Sequence, residues 1–472
     1  MMWKIVCWIW VVLGIAVVAV GSDKVPAWQL INWDGPVSAA ERLSADEYVL
    51  PEGWEEAVAG VTEIVYFNSG ALRHDPATVV NIERFEALTG IKVRAIEVSS
   101  LILFDKTLSV LVSRDLSIHG MSLTDAPLEL SQVIGAGWAA PLPFWTPEVQ
   151  NIYPKALVDA MRGADGRVYA TCDTMRVYVL FYRPSWLKAA GVEKVPETWQ
   201  EVREAALKCR EWAVKNLGPD YWGIVFPGKY NLAHMLQAGI YSQGARVLVD
   251  GKPVWNSPEG RNSWQLWYDF IATDKSAPEA CLGYTWNDYQ EVFAKGKAAM
   301  MLGFSTYIVR CSNPELAPGI QTDVFGNPVE GGDFAVVAPP KWDVNHPESH
   351  RAAFIDFDGF IVNPFADDKH QAAVMLFAEF RMSKEACRNE VLVEGNDAFF
   401  PGVYDDPEVL GKIRFPEALR LSAQNAVMEA FPPGSKHSID ILVEYFGKAV
   451  TGQMDAQDAL DAAQKEIDEI YW

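Results

Sequence analysis

The sequence is poor in cysteine, in basic residues and in catalytic motifs, and each shortage argues against a class of protein. Its 472 residues include 6 Cys, none of them in a CxxC pair, which disfavours a zinc site built on cysteine. The 40 Lys and Arg residues face 62 Asp and Glu, a formal net charge of −22, and such a field repels the phosphates of nucleic acids. No GxSxG, P-loop, GxGxxG or HExxH motif occurs, so we expect no catalytic centre, no metal, no cofactor and no nucleic-acid partner.

Apolar and aromatic residues are abundant instead. The apolar fraction is 50% and there are 18 Trp, enough to form a substantial core in two or three domains. Most of these rings are expected in the core. Flat rings lining a cleft also bind the apolar faces of sugars while polar groups contact the hydroxyls.

The N-terminus has the pattern of a signal peptide over residues 1–21. A positive start precedes an apolar run from Ile5 to Val20, and a small-x-small cleavage pattern follows. The run is shorter than the roughly 20 residues of a membrane span, and an uncleaved anchor is the alternative. We therefore expect export to the periplasm or to the extracellular face of the cytoplasmic membrane. In an oxidising compartment Cys281 and Cys311 could pair.

A strand, a helix and a strand follow one another near the start of the ordered pattern. Residues 62–67 are β-rich and end at a turn, a helix begins at Pro76 and closes at Gly90, and residues 91–96 form the next strand. This βαβ unit predicts a parallel sheet. Residues 22–60 show no clean period and are predicted to be an N-terminal extension or linker.

Five segments in order carry a resemblance to a known family: Phe85–Val93, Asp165–Arg183, Ala190–Glu201, Phe293–Met300 and Ala459–Gln464. Together they resemble the family-1 extracellular solute-binding proteins, the sugar receptors of bacterial ABC importers, of the maltose-binding type. The resemblance implies an α/β fold of the two-lobed periplasmic-binding-protein kind, with three hinge crossings and a ligand cleft between the lobes. Such lobes close by hinge rotation when ligand favours the closed state.

The resemblance also implies the domain plan and the partners. Lobe 1 is expected over residues 61–173 and 356–380, and lobe 2 over 174–355 and 381–472. The expected ligand is a carbohydrate, either a mono- or oligosaccharide or a polyol, delivered by a monomer to the permease subunits of an ABC transporter without chemical change. A polyamine or a phosphorylated polyol on the same fold is the alternative, and a glycoside-acting enzyme is disfavoured.

The candidate ligand contacts follow strand ends, lie at the lobe crossings or place an aromatic ring beside the cleft. They are Asn68, Ser69, Asp125, Asp173, Arg176, Tyr230, Tyr284, Trp286, Phe304 and Asp358. Each has a structural alternative. Asn68 and Ser69 are turn formers, Asp125 could cap the helix that follows it, Arg176 could pair with Asp173, and the aromatic rings could be core.

Overall fold

A computed structural model describes residues 25–345 and 348–471, without the side chain of His74. The predicted signal peptide lies outside these residues. Within the part of the chain that is described, no helix is long and apolar enough to cross a membrane.

The first half of the chain forms a parallel sheet covered by helices. Strand β1 (Glu63–Ser69) pairs in parallel with β2 (Lys92–Val98) and with β3 (Gly120–Leu123). The helices are α1 (Ala39–Ser44), α2 (Trp54–Ala57), α3 (Pro76–Thr89), α4 (Ser100–Ser113), α5 (Ala126–Gly135), α6 (Pro147–Gln150) and α7 (Lys155–Ala160). The predicted βαβ unit is confirmed. Helix α3 ends at Gly90, whose φ of 73° is a left-handed conformation that glycine adopts without a Cβ clash.

The middle of the chain builds a second set of strands. Strand β4 (Ala170–Tyr182) enters it, β5 (Trp222–Val225) pairs in parallel with β8 (Ala298–Phe304), and both β8 and β9 (Ala335–Val337) pair antiparallel with β4. Strands β6 (Leu248–Val249) and β7 (Lys252–Pro253) form a separate hairpin. The helices are α8 (Pro184–Ala189), α9 (Trp199–Asn216), α10 (Leu232–Ser242), α11 (Pro258–Tyr268), α12 (Trp286–Ala294) and α13 (Tyr307–Ser312).

Strand β10 (Ile355–Val362) joins the two sets, pairing antiparallel with both β3 and β4. The path through the sheet is β2-β1-β3-β10-β4-β8-β5, with β9 beside β4. The remaining helices are α14 (Asp368–Arg381), α15 (Lys384–Asn389), α16 (Pro407–Lys412), α17 (Pro416–Asn425), α18 (Ser435–Val450) and α19 (Ala456–Asp468). Short 3₁₀ turns lie at Ala27–Leu30, Leu72–His74, Glu279–Gly283, Pro318–Ile320 and Pro401–Asp405, and π turns at Asp269–Thr273 and Glu390–Glu394.

Two hydrophobic cores define two lobes, with the first core around β1–β3 in lobe 1 and the second core around β5 and β8 in lobe 2. The described part of the chain passes between them three times. Neighbouring residues that belong to different cores bracket each passage; they are Met175 and Val177, Phe354 and Phe357, and Val409 and Leu419. Ile355 and Ile413 pack against both cores. The crossings therefore lie at Arg176, at Ile355–Asp356 and near Ile413.

The third crossing lies about 30 residues later than the boundary predicted at 380/381. Residues 382–409 pack in the first core, where Cys387, Phe399 and Val403 are buried, so this stretch belongs to lobe 1 and not to lobe 2. The physical reason is that an amphipathic helix shows which of its faces is buried but not which core buries it.

The N-terminal segment is part of lobe 1. Ala27, Ile31 and Trp33 belong to the first core. Arg42, 1% exposed, pairs at 2.6 Å with Glu379 of α14, whose other carboxylate oxygen accepts the hydroxyl of Tyr48 at 2.8 Å. Residues 25–60 are therefore a packed extension, because a free linker would leave these groups in water.

The five described cysteines are free and buried. Cys281 and Cys311 thus form no disulfide in this structure, contrary to the pairing considered above. Burial raises the pKa of both thiols to about 12, which keeps them protonated and unreactive.

Candidate ligand-binding cleft

Strand ends from both lobes meet where β4 and β10 cross. In their antiparallel register Asp356 lies opposite Arg176, and Asp358 lies opposite Thr174. The carboxyl end of β8, at Phe304, lies opposite Tyr178 of β4. The loops that follow such strand ends in open α/β sheets are where ligands bind, so this crossing is the floor of the candidate cleft.

Arg176 is the cation at this floor. Its Nη2 lies 3.2 Å from Asp356 Oδ2 and also bonds Asp358, while its Nη1 lies 3.2 Å from Asp358 Oδ2. The guanidinium also lies 5.5 Å from the ring centroid of Phe304. The predicted candidates Arg176, Asp358 and Phe304 are therefore brought together. Arg176 pairs with these two carboxylates and not with Asp173.

Burial dominates the electrostatics of the two partners of Arg176. It raises the pKa of both Asp356 and Asp358, and Arg176 opposes the rise. Oxygen Oδ1 of Asp356 is buried and has no hydrogen-bond partner. One bond from a ligand N–H or O–H to this oxygen would lower the cost of burying the charge.

Asp125 connects the two lobes. It follows β3 in lobe 1, and its Oδ2 accepts the hydroxyl of Tyr230 at 3.0 Å and lies 3.5 Å from His234 Nε2, both in lobe 2. Its Oδ1 is buried without a partner, and its side chain caps no helix N–H. His234 Nδ1 bonds the hydroxyl of Tyr178 at 2.8 Å. Asp125 is thus placed to contact a ligand and the second lobe at once.

Asp173 lies at a β-bulge on the lobe 1 side of the floor. The pairing of β4 with β10 shifts between Asp358 and Gly359, a local distortion that re-aims side chains. Asp173 Oδ2 pairs with Arg381 at 3.0 Å and accepts the hydroxyl of Ser122 at 3.2 Å. Burial raises the pKa of Asp173 to about 7, against the field of Arg381.

The predicted aromatic contacts lie on the lobe 2 side. Phe304 is 6% exposed and packs on Tyr178 with ring centroids 4.5 Å apart, so its ring is mostly core. Trp286 is 37% exposed, and its carbonyl accepts the hydroxyl of Tyr307 at 3.0 Å. The carbonyl of Tyr284 accepts the N–H of Lys229, next to Tyr230. Trp286 therefore has an accessible face for stacking, and Phe304 does not.

Asn68 and Ser69 end β1, and Asn68 serves its own loop. Its Oδ1 accepts the hydroxyl of Tyr66 at 3.0 Å, and its Nδ2 contacts the carbonyl of Ser69 at 3.3 Å and Asp75 Oδ2 at 3.5 Å. These bonds favour the structural role of Asn68.

Asp75, Glu390 and Glu394 meet beside this loop, with carboxylate oxygens within 4.8 Å of one another. All three ligand candidates are carboxylates, and Asp75 lies far from Glu390 and Glu394 in the chain, so no His or Cys spacing in the sequence indicates this cluster. Burial raises the pKa of Glu390 to about 8 and that of Glu394 to about 9. At neutral pH these two groups therefore hold protons, and a cation would have to displace them.

Several residues of the floor were absent from the sequence prediction. Asp356 precedes the predicted Asp358 by two positions, and residues two apart on a strand share a face, so this signal was available. His234, Arg381 and Asp397 come from distant helices and loops. Asp397 is 2% exposed and accepts the Val177 N–H at 2.8 Å. No spacing in the sequence places these three beside the crossing.

The two lobes touch across the cleft. Lys436 of α18 in lobe 2 pairs with Glu129 of α5 in lobe 1 at 3.3 Å, and the hydroxyl of Ser131 donates to the carbonyl of Phe431. Beside these contacts, Leu128 of α5 and lobe 2 residues such as Gln237 and Phe431 line a gap that does not admit a water molecule. Helix α5 of lobe 1 is therefore joined to lobe 2 in this conformation.

Comparison with known proteins agrees with this geometry. A family model described as bacterial extracellular solute-binding protein matches residues 81–412. A "Probable ABC transporter-binding protein" of Deinococcus radiodurans is 27% identical over 295 residues, which are 61% of this chain and 65% of that relative. The alignment thus spans slightly less than two thirds of the relative's length.

Solved structures show the same fold at low identity. A maltose-bound MalE3 of T. maritima has a TM-score of 0.74 and 20% identity, covering 87% of this chain and all of that one. A solute-binding protein of Agrobacterium radiobacter in complex with ribitol has a TM-score of 0.70 and 22% identity, covering 88% of this chain and 99% of that one. The fold is therefore the two-lobed α/β binding-protein fold predicted from the sequence. Because the family model matches more than half of the chain, the protein belongs to the bacterial extracellular solute-binding proteins.

Proposed function

We propose that the protein captures a carbohydrate or polyol between its lobes and delivers it to the permease of an ABC importer. The observation that carries the proposal is the pair of buried, unpartnered carboxylate oxygens, Asp125 Oδ1 and Asp356 Oδ1, at the point where the strands cross. Hydroxyl groups donate to carboxylates in short, charge-assisted hydrogen bonds. The ligands in the titles of the similar structures, maltose and ribitol, are a sugar and a polyol.

The arrangement also suits capture by closure. Asp125 belongs to lobe 1, Tyr230 to lobe 2 and Asp356 to a crossing strand. A ligand bonded to all three would contact both lobes only in the closed state. Such differential contact is the condition under which a ligand shifts a two-state equilibrium.

A phosphorylated polyol is less well supported. Phosphate recognition needs converging cationic donors, yet Arg176 already pairs with Asp356 and Asp358, and Arg381 pairs with Asp173. A phosphate at this floor would face those carboxylates and be repelled by them.

A thermal-shift panel of mono-, di- and trisaccharides, polyols, polyamines and glycerol phosphate tests the proposal. A cognate ligand at a thousandfold excess over its dissociation constant should stabilise the protein by about 4 kcal/mol and raise the unfolding midpoint. A shift with glycerol phosphate alone, or with no sugar or polyol, would contradict the proposal.

The Trp286→Ala variant tests the accessible ring. Since Trp286 is 37% exposed, its removal should leave the unliganded midpoint nearly unchanged while weakening sugar affinity by about tenfold or more, the effect of losing one stacking contact. Affinity equal to that of the unchanged protein would remove Trp286 from the site but leave the two carboxylates in it.

A further inference from the structure

Carboxylates outnumber cations at the floor of the cleft. We use the name acidic floor for Asp125, Asp356, Asp358 and Asp397, which are all at least 85% buried as side chains or residues. Arg176 pairs with Asp356 and Asp358. Among the described residues, no Lys or Arg ion pair is found for Asp125 or Asp397.

Two other basic groups lie near the floor. His234 Nε2 lies 3.5 Å from Asp125 Oδ2 and makes no hydrogen bond, while its Nδ1 bonds the hydroxyl of Tyr178. Lys436 lies 5.6 Å from the ring centroid of Tyr230 and pairs with Glu129. The acidic floor therefore holds more carboxyl groups than cations. Burial raises the pKa of Asp356 to about 7 and that of Asp397 to about 6, so the excess negative charge develops near neutral pH, and a bound cation would stabilise it.

Two oxygens of the acidic floor lack a hydrogen bond. Asp125 is 3% exposed and Asp356 is 5% exposed, and Oδ1 of each is buried without a partner. The charge of Asp125 acts on Asp356, so the two carboxylates share one low-dielectric region. Neutral hydroxyl groups would fill the empty hydrogen-bond positions but leave the excess charge. A protonated amine would supply both the hydrogen bonds and the opposite charge.

The surroundings favour a cation that also carries hydroxyls. The ring of Tyr230, whose hydroxyl bonds Asp125, borders the floor, and aromatic faces attract cations. The guanidinium of Arg176 is a donor group at the floor as well. A hydroxyl oxygen can accept from such donors, whereas a protonated alkyl polyamine has no acceptor to offer.

We propose that the ligand is a hydroxylated amine, such as an amino sugar or an amino alditol, and that Asp125 and Asp356 bind its ammonium group. The inference rests on the proposed function and specifies the chemistry of its ligand. Asp358 and Arg176, already paired with each other, are left to contact the hydroxyls.

Matched pairs of probes test this inference by titration calorimetry on the full exported protein. The amines are D-glucosamine, D-galactosamine and 1-amino-1-deoxy-D-sorbitol, and their neutral partners are D-glucose, D-galactose and D-sorbitol, with spermidine as a cation without hydroxyls. We expect at least one amine to bind about tenfold or more tightly than its neutral partner, the effect of one charge-assisted hydrogen bond.

The variants Asp125→Asn and Asp356→Asn should each bring the amine-to-neutral affinity ratio close to one. The affinity ratio within each variant is unaffected by a general loss of ligand affinity. If one variant does not fold, the ratio measured with the other variant still tests the inference. Asp159→Asn is the matched control, because it removes the same charge from an exposed carboxylate that pairs with Lys155 on α7. Its ratio should equal that of the unchanged protein.

The outcomes separate the two proposals. A neutral sugar or polyol that binds as tightly as its amine partner would overturn the hydroxylated-amine inference and leave the proposed function standing. Spermidine binding without any amino sugar or sugar would overturn both. Binding by no member of the panel would also count against both.

Discussion

Removing the guanidinium of Arg176 should destabilise the unliganded protein by about 3–5 kcal/mol, the cost of breaking a buried ion pair by deleting one partner. The variant Arg176→Met keeps the length of the side chain but leaves Asp356 and Asp358, whose side chains are 7% and 14% exposed, without their cation. Because the arginine itself is 19% exposed, we expect the lower half of that range.

Urea unfolding at pH 5.5 and pH 7.5 measures the loss of stability in Arg176→Met and shows how this loss changes with pH. Without Arg176 the pKa of each carboxyl rises further above its unfolded value near 4, so the native state holds protons that the unfolded chain has released. The loss should therefore be larger at pH 7.5 than at pH 5.5. Adding Asp356→Asn and Asp358→Asn to Arg176→Met should recover more than half of the stability at pH 7.5.

An exposed pair provides the control. Arg94 and Glu63 form a 3.1 Å ion pair with side chains 55% and 45% exposed, and Arg94→Met should cost no more than about 1 kcal/mol. If Arg176→Met costs as little as Arg94→Met, or if its cost does not depend on pH, the account of a buried charge cluster at the crossing is refuted.

Three further predictions follow from packing and titration. Gly223→Ala should abolish soluble folded protein, because the added Cβ would lie 1.9 Å from the carbonyl oxygen of Ala206. Gly411→Ala is the control and should be tolerated, because the space around Gly411 is open. Equal yields of soluble protein from the two variants would contradict this prediction. Arg42→Met should lower the free energy of unfolding, measured in urea, by about 3–5 kcal/mol, because Glu379 would remain buried without a cation. An unchanged urea midpoint would show that residues 25–60 add little to the stability of lobe 1. The thermal unfolding midpoint of the unliganded, unchanged protein should fall as the pH rises from about 5 to about 8 and then level off. Burial raises the native pKa of Asp173 to about 7 and those of Glu129 and Glu390 to about 8, so over this range the native state holds protons that the unfolded chain has released. A midpoint that stays flat or rises over this range, measured by calorimetry, would argue against it.

Local chemistry explains what the sequence could predict about the site. Asp358 and Arg176 stood out because each lies on a segment that resembles a lobe crossing, and the structure pairs them. Their common partner Asp356 shares the strand face of Asp358, so alternation could have found it. By contrast, Phe304 follows a strand end as predicted, yet packing on Tyr178 buries its ring. Strand position alone does not decide how much of a side chain remains exposed.

The sequence by itself determined the elements and their order. Helix α3 (Pro76–Thr89) begins at a proline, which suits a helix start, and is capped by Gly90, which suits a left-handed end. The alternation of strands with helices required a parallel sheet. These are short-range effects, set by residues close together in the chain.

Only the tertiary structure decided which lobe buries residues 382–409, where the third crossing lies, and that His234, Asp125 and Asp356 share one buried region. Contacts between residues far apart in the chain depend on which apolar faces pack together, and a hydrophobic pattern does not name its partner. The charge excess at the acidic floor is likewise a property of the folded cleft, because burial is what makes an unpaired carboxylate costly.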